Sequence, residues 1–361
     1  MKCCANCFKD TEIKAIICGS KKIGDCDFCK SKNVYVYDID TDSTLSDLFN
    51  ELLDIYTPSC DLPTTFPHEH TDLIKNTLCY NWNIFNLKPD SVYKLIKTIC
   101  EERYNDQPEL FDNPVGVLQI IDKDYLDNNS ILKNYEWFDF VKGIKEDNRF
   151  HSSYINKEIL SIFLRRIVKT YKTGEIFWRG RICPDETGFA KKEMGAPPVF
   201  KAKGGRVNPS GISLLYLSDS KETTLYEIRA GVYDYVTVGK FKLKKDINII
   251  DLTNIDGFSP FTGIDRGFDY TQYAINVEHL KMIAKEIAKP LRNDNEYEYL
   301  PTQYISDFIK SLGYDGIEYK STMHNSGRNL AVFDPTSFKC TDVEVYDIKN
   351  ISYTYEKVVK R

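Results

Sequence analysis

The spacing of apolar residues changes near residue 174. Before it, apolar positions recur at helical intervals. Leu45, Leu48, Phe49, Leu52, Ile55 and Tyr56 follow Asp42 and Ser43, which can cap a helix. Val92, Leu95, Ile96 and Ile99 mark a second helix. Ile159, Leu160, Ile162, Phe163, Ile167 and Val168 mark a long one that stops before Gly174. The stretches between are rich in Asn, Asp and Pro, as loops are, so residues from about 42 to 171 read mainly as helices. After Gly174 the apolar runs shorten, and 176–182, 214–217, 235–243, 247–252, 316–319 and 330–333 read as strands, with helices at 271–289 and 302–312. Leu214 to Leu217 is nearly all apolar and reads as a strand buried on both faces. Asp219 and Glu222 stand at capping-box spacing, which starts a helix there and puts Glu227 about two turns into it.

Length and charge narrow the classes. A chain of 361 residues suggests two or three domains. The net charge of −5 argues against a dedicated nucleic-acid-binding protein, which would carry a basic excess. The N-terminus has no apolar signal-peptide core, and no apolar run is long enough to cross a membrane, so a cytoplasmic protein without membrane attachment is expected.

Of the 11 cysteines, six lie in the first 29 residues. That clustering fits a metal site in a reducing compartment better than a secreted disulfide framework. Cys4-x-x-Cys7 and Cys26-x-x-Cys29 form two knuckles, each presenting two thiolates, that together complete a tetrahedral structural zinc site. Cys3 and Cys18 are spare thiols that could compete, and Cys3 beside Cys4 leaves the register of the first knuckle open. A unit this short has little core, so the metal would supply folding free energy. His68-Glu69-His70 follows Pro67 and reads as a solvated polar loop.

The chemistry concentrates in Gly204-Gly205-Arg206-Val207-Asn208-Pro209-Ser210-Gly211, a cationic glycine loop that leads into the 214–217 strand and then the helix bearing Glu227. Glycines let backbone N–H groups approach an anion, and Arg206 adds a planar fork of donors for phosphate. A phosphate cradle beside one carboxylate suits an enzyme acting on a phosphorylated sugar or a dinucleotide.

Five segments in this order resemble the RES domain family. They are Trp178-Arg179, Gly205-Arg206-Val207-Asn208, Leu215-Tyr216-Leu217, Glu227 and Tyr319-Lys320-Ser321. Met194-Gly195-Ala196-Pro197-Pro198 and Gly327-Arg328-Asn329-Leu330-Ala331-Val332-Phe333 match one branch of it. Val207 departs from the family's commonest form, where an aromatic residue is frequent. The resemblance covers roughly the C-terminal half of the chain. It implies an α+β RES domain at 173–361 with an ADP-ribosyltransferase-like core, preceded by a zinc-binding ribbon at 1–38 and a helical, HEPN-like domain at 39–172. Some HEPN domains are RNases using an Arg and a His four to six residues apart. Arg149 and His151 are too close, so the helical domain reads as a non-catalytic scaffold or partner-binding module.

Characterised RES proteins are bacterial toxins that degrade NAD, so the resemblance implies NAD as substrate, phosphate as the acceptor, and an antitoxin or regulatory partner. Cleaving the nicotinamide–ribose bond requires an oriented ribose, stabilisation of positive charge at its anomeric carbon and an anchored diphosphate. The resemblance assigns the catalytic set to Arg179, Glu227 and Ser321. Arg206, Tyr216 and Arg181 are candidate substrate-binding residues, with Arg181 as the alternative to Arg179. Ser321 has no evident His–Asp partners, so it reads as a hydrogen-bond donor and not a nucleophile. Asn208 and Asn329 read as holding loop geometry. Phosphorolysis of NAD is the leading expectation. ADP-ribosylation of a macromolecule shares its cationic intermediate, and a non-enzymatic zinc-containing binding protein is the third class.

Overall fold

The computed structural model describes residues 1–257, 259–262, 269–290, 295–352 and 357. The chain divides into two compact units. One comprises Met1–Trp137, Tyr154–Ile159 and Asn254–Lys281, and the other Phe138–Ser153, Leu160–Thr253 and Met282–Arg361.

In the first unit, β1 (Lys2–Cys4), β2 (Ile23–Gly24) and β3 (Val34–Asp38) form an antiparallel sheet in the order β1-β3-β2. Helix α1 (Thr11–Gly19) lies between the two cysteine knuckles in sequence and starts at Asp10, whose carboxylate accepts from the Ile13 N–H at 2.9 Å. The helices that follow are α2 (Thr44–Leu53), α3 (Ile74–Tyr80), α4 (Pro89–Ile99), α5 (Glu101–Asp106), α6 (Glu109–Asp112) and α7 (Lys123–Asn129). Strands β4 (Thr57–Pro58), β5 (Asp72–Leu73) and β6 (Pro114–Gly116) pair in the order β4-β6-β5. The apolar stripes expected for α2 and α4 are the buried faces: Leu45, Phe49 and Leu52 on one, Val92, Leu95 and Ile96 on the other. Phe85 carries the packing between segments, with its ring 5.1 Å from Phe8 and 5.7 Å from Phe49.

Two further helices, α8 (Trp137–Lys142) and α9 (Lys157–Arg166), lead to the sheet of the second unit. Helix α9 is shorter than its apolar spacing suggests. Val168 opens strand β7 (Val168–Tyr171), because Val168, Thr170 and Tyr171 favour extended backbone and their N–H and C=O groups find a partner strand. Strands β8 (Ile176–Cys183), β9 (Leu215–Ser218), β10 (Tyr235–Leu243), β11 (Ile247–Asp251), β12 (Gly316–Lys320), β13 (Arg328–Val332) and β14 (Phe338–Asp347) complete it. The order is β14-β10-β8-β9-β13-β12-β11-β7. Only β11 and β12 run parallel; the other pairs are antiparallel. Helices α10 (Lys221–Glu227), α11 (Tyr270–Ala288) and α12 (Leu300–Ser311) accompany the sheet strands in sequence. Phe177, Leu215, Leu217, Phe241, Ile249, Leu330 and Val332 form the core on one face.

The sheet has one weak seam. Strands β8 and β9 pair only through Trp178 and Ser218. Continued antiparallel pairing would set Arg179 opposite Leu217 and Gly180 opposite Tyr216. The strands diverge there instead, and those four residues border a cavity.

Candidate functional site

That cavity, of about 700 Å³, lies entirely within the second unit. Its walls come from β8, β9, α10, the glycine loop, the 296–299 turn, β12 and β13. The structure brings Arg179, Arg206, Tyr216 and Glu227 to it.

Arg179 is held on β8 with its Nη1 buried and without a hydrogen-bond partner among the described residues. Burial, together with the nearby charge of Arg181, pushes its guanidinium down to about 10. A buried donor without an acceptor is costly, and an anion in the cavity would relieve it. Arg181 has a different environment. Its Nη1 donates to the Glu193 carbonyl at 2.5 Å, its guanidinium lies 4.3 Å from the Phe189 ring centre, and it does not line the cavity.

The glycine loop is folded back on itself, with the Gly205 N–H donating to the Asn208 carbonyl at 2.8 Å. The Asn208 side chain donates to the Lys203, Pro209 and Ile212 carbonyls and accepts from the Tyr216 hydroxyl at 2.6 Å. Asn208 therefore fixes the loop, as its sequence position suggests. Helix α12 holds the loop from behind. Gln303 Nε2 donates to the Gly205 and Asn208 carbonyls at 2.8 and 3.0 Å, the Thr302 hydroxyl to Arg206 O at 2.6 Å, and the Ser306 hydroxyl to Val207 O at 2.7 Å. Sequence reasoning missed this clamp. Its signal is a set of polar residues at 302, 303 and 306, buried where a helix face otherwise carries Ile305 and Ile309.

Arg206 projects from the clamped loop. Its Nη1 donates to the Ala288 carbonyl at 2.8 Å, and its guanidinium lies 5.5 Å from the Tyr319 ring centre. Burial works against its charge, but the fields of Tyr319, Glu227, Tyr299 and Tyr216 outweigh that, and its pKa rises. Burial likewise raises the Tyr216 hydroxyl, and takes that of Tyr319 to about 12, so both stay protonated near neutral pH.

Glu227 is the last residue of α10. The helix is capped by Ser220, whose hydroxyl accepts from the Thr223 N–H at 3.0 Å, and not by Asp219. Asp219 is engaged by the Thr223 hydroxyl at 2.9 Å and by Arg328 at 3.4 Å. The packing of α10 on β8 depends on Gly180, since a Cβ there would come within 2.6 Å of the Thr224 side chain. Glu227 Oε1 accepts from the Ser321 hydroxyl at 2.5 Å and from Asn329 Nδ2 at 2.8 Å. The Ser321 hydroxyl also accepts from the N–H groups of Met323 and His324 at 3.2 and 3.0 Å. Ser321 thus shapes the turn after β12 while touching the carboxylate. Tyr319, the first residue of the Tyr319-Lys320-Ser321 segment, also lines the wall, and Lys203, Arg229, Glu296 and Tyr299, which no motif singled out, complete much of it.

The four-cysteine cluster lies in the first unit. The Sγ atoms of Cys4, Cys7, Cys26 and Cys29 are all within 4.8 Å of one another, with edges of 3.9 Å (Cys4–Cys7), 3.4 Å (Cys4–Cys29) and 3.5 Å (Cys7–Cys26). Zn–S bonds of about 2.3 Å in a tetrahedron give S–S edges of about 3.8 Å, so the four thiols fit one shared ion. Cys3 is buried outside the cluster and Cys18 is exposed, so the thiol that joins Cys7, Cys26 and Cys29 is that of Cys4. Among the described residues this is the one such group of metal-ligating side chains, and His68 and His70 are exposed. No helix among the described residues is long and apolar enough to cross a membrane.

The family model for the RES domain matches residues 178–356. No curated protein matches the chain. Among solved structures, a chain of the M. tuberculosis MbcT-MbcA toxin-antitoxin complex is similar at 14% identity and a TM-score of 0.30, covering 51% of this chain and 91% of its own. The matched segment starts inside β8 and contains every residue that lines the cavity, with Arg179, Arg206, Tyr216, Glu227 and Ser321 in order along it. By that match, residues 178–356 of this chain form a domain of the RES family.

Proposed function

We propose that the cavity binds NAD and cleaves its nicotinamide–ribose bond with inorganic phosphate as acceptor. The observation that carries this reading is the pairing, in one cavity, of the Glu227 carboxylate with the buried, unpartnered Nη1 of Arg179. A volume of about 700 Å³ lies within the roughly 300–1,000 Å³ common for small-molecule sites. Arg179 and Arg206 anchor the diphosphate, and Arg179 is preferred to Arg181, which is engaged elsewhere. The Tyr216 ring packs against the bound nucleotide. Glu227 faces the ribose as positive charge develops at the anomeric carbon. The C–N bond breaks with its electron pair leaving on nicotinamide, a neutral leaving group, and a phosphate oxygen forms the new bond to that carbon. Loss of NAD is toxic to a cell, so the activity calls for a restraining partner, an antitoxin or regulatory protein, in a cytoplasmic setting.

The domain reading goes with it: a zinc unit at 1–38, a helical HEPN-like module at 39–172 and a catalytic RES domain at 173–361 with an ADP-ribosyltransferase-like core. Cys4, Cys7, Cys26 and Cys29 hold one structural zinc, and a closed set of four thiolates leaves no position for substrate.

The test is incubation of purified protein with NAD, with and without phosphate, and identification of the products. Release of nicotinamide with a phosphorylated ADP-ribose product is expected. Glu227→Gln preserves shape but removes the charge, and should lower the rate on the order of a hundredfold or more. Undiminished NAD loss in that variant, or no turnover by the wild type at any phosphate concentration, refutes the reading. Transfer of label from NAD to a macromolecule would replace it with ADP-ribosylation.

A further inference from the structure

We propose that Asn329 is the positioning residue of this site, fixing the Glu227 carboxylate from the strand where the sheet opens. The inference rests on Glu227 being the carboxylate that acts, as read above.

Both donors to Glu227 converge on one oxygen. Ser321 Oγ and Asn329 Nδ2 reach Oε1 at 2.5 and 2.8 Å, and Oε2 has no donor among the described residues. Two donors on one oxygen define the plane and rotamer of the carboxylate and leave the second oxygen for the cavity. Glu227 needs such support because it ends α10, where no following helical turn packs against it.

The Asn329 amide is itself oriented. A carboxylate only accepts, which assigns Nδ2 to the Glu227 side, and Oδ1 then accepts from the Ser218 hydroxyl at 3.0 Å, bracing the amide in that orientation. Asn329 and Ser218 are 4% and 5% exposed, so both polar groups are largely withdrawn from water and rely on each other and on Glu227 for hydrogen bonds. They are cross-strand neighbours in the β13–β9 ladder, and Ser218 is also the residue that joins β9 to β8 at Trp178. The fork of the sheet and the orientation of the carboxylate are therefore set by one side-chain chain, Ser218 to Asn329 to Glu227. Ser321 approaches from the 321–327 turn, which is anchored on α10 by the contact of His324 Nδ1 with the Thr223 hydroxyl at 2.9 Å and by the stacking of His324 on Tyr226. Asn329 holds Glu227 from a central strand, and Ser321 holds it from a turn.

The experiment uses the full chain in three variants: Asn329→Leu, which keeps the volume and removes the donor, Ser218→Ala, which releases the amide orientation, and Ser321→Ala. Crystal structures report the position of the Glu227 carboxylate independently of any activity. The expected result is a displaced or split Glu227 side chain in Asn329→Leu and in Ser218→Ala, with kcat for NAD lowered tenfold or more in the first and less in the second, while KM stays within about twofold because the diphosphate anchor is intact. If Asn329→Leu fails to fold, Ser218→Ala alone decides. A Glu227 carboxylate unmoved in the variants that fold overturns the proposal, and so does a loss of activity expressed in KM alone. If the wild type does not turn over NAD, the functional reading falls while the crystallographic comparison still judges the positioning role.

Discussion

Gly205→Ala tests whether the loop's hydrogen-bonded geometry is as closely fitted as its distances suggest. A Cβ at Gly205 would lie 2.7 Å from Asn208 Oδ1 and 2.9 Å from the Tyr216 hydroxyl, on top of the hydrogen bond that joins them. Neither atom can retreat cheaply. Asn208 is tied by Nδ2 to three carbonyls, and Tyr216 sits on β9 with its neighbours Leu215 and Leu217 in the core. Overpacking a fitted site costs about 1–3 kcal/mol, and losing the Tyr216–Asn208 bond adds about 1 kcal/mol. The sum, about 2–4 kcal/mol, corresponds to a fall in Tm of roughly 4–16 °C for a unit of this size. The assay is thermal unfolding beside Gly195→Ala, whose Cβ meets nothing within 4 Å and should change stability by less than about 0.5 kcal/mol. If the loop shifts to relieve the clash, Arg206 moves with it, and the loss appears in NAD turnover instead of in Tm. A Gly205→Ala protein with wild-type Tm and wild-type turnover refutes the argument.

Replacing Cys26 and Cys29 together by Ser should abolish zinc in elemental analysis and harm solubility or partner binding more than NAD turnover; full zinc retention would refute the assignment. Gln303→Leu should lower stability by about 1–3 kcal/mol in urea unfolding, because the Gly205 and Asn208 carbonyls lose their shared donor. Glu318 is 1% exposed and is paired with Lys169 at 3.0 Å and Arg328 at 3.3 Å. The Lys169→Met and Arg328→Met double variant strands that buried carboxylate and should cost about 3–5 kcal/mol, more than Glu318→Gln, whose two cations can still reach water. Equal urea midpoints for the two would remove the asymmetry.

Much of the sheet was legible because its inner strands are short segments rich in aromatic, β-branched and other apolar residues. The expected 235–243 strand is β10 to the residue, and 176–182 falls one residue short of β8. The two edge strands were not legible. Strand β14 presents Lys339, Asp342, Glu344 and Asp347, and β7 is four residues long, so neither has the apolar content that marks a strand before its partner is known. The end of α9 was hidden for a related reason: Ile167 and Val168 continue its apolar spacing, and only the pairing of β7 with β11 turns Val168 into extended backbone. A one-residue difference at the start of α10 has a local cause as well. Asp219 and Ser220 are both good caps, and the charge of Arg328 engages Asp219, leaving Ser220 for the Thr223 N–H.

The site divides along the same line. Arg179, Arg206, Tyr216 and Glu227 sit in ordered motifs, so sequence could nominate them, and the structure places all four on one cavity. What sequence could not carry is the relation among elements far apart in the chain. Glu227 meets Ser321 and Asn329 about a hundred positions later, and the glycine loop meets α12 across a similar gap. Those long-range bonds explain why the cavity can exist. A sheet that parts at one pair, Trp178 and Ser218, exposes backbone and polar edges that a closed ladder would satisfy. Here the open edge is supported by side chains instead: Asn208 and Gln303 take up the loop's carbonyls, and Ser218 holds Asn329 toward the Glu227 carboxylate. The polar residues buried around the fork thus serve both the fold and the site, and substitutions there should seldom alter one without the other.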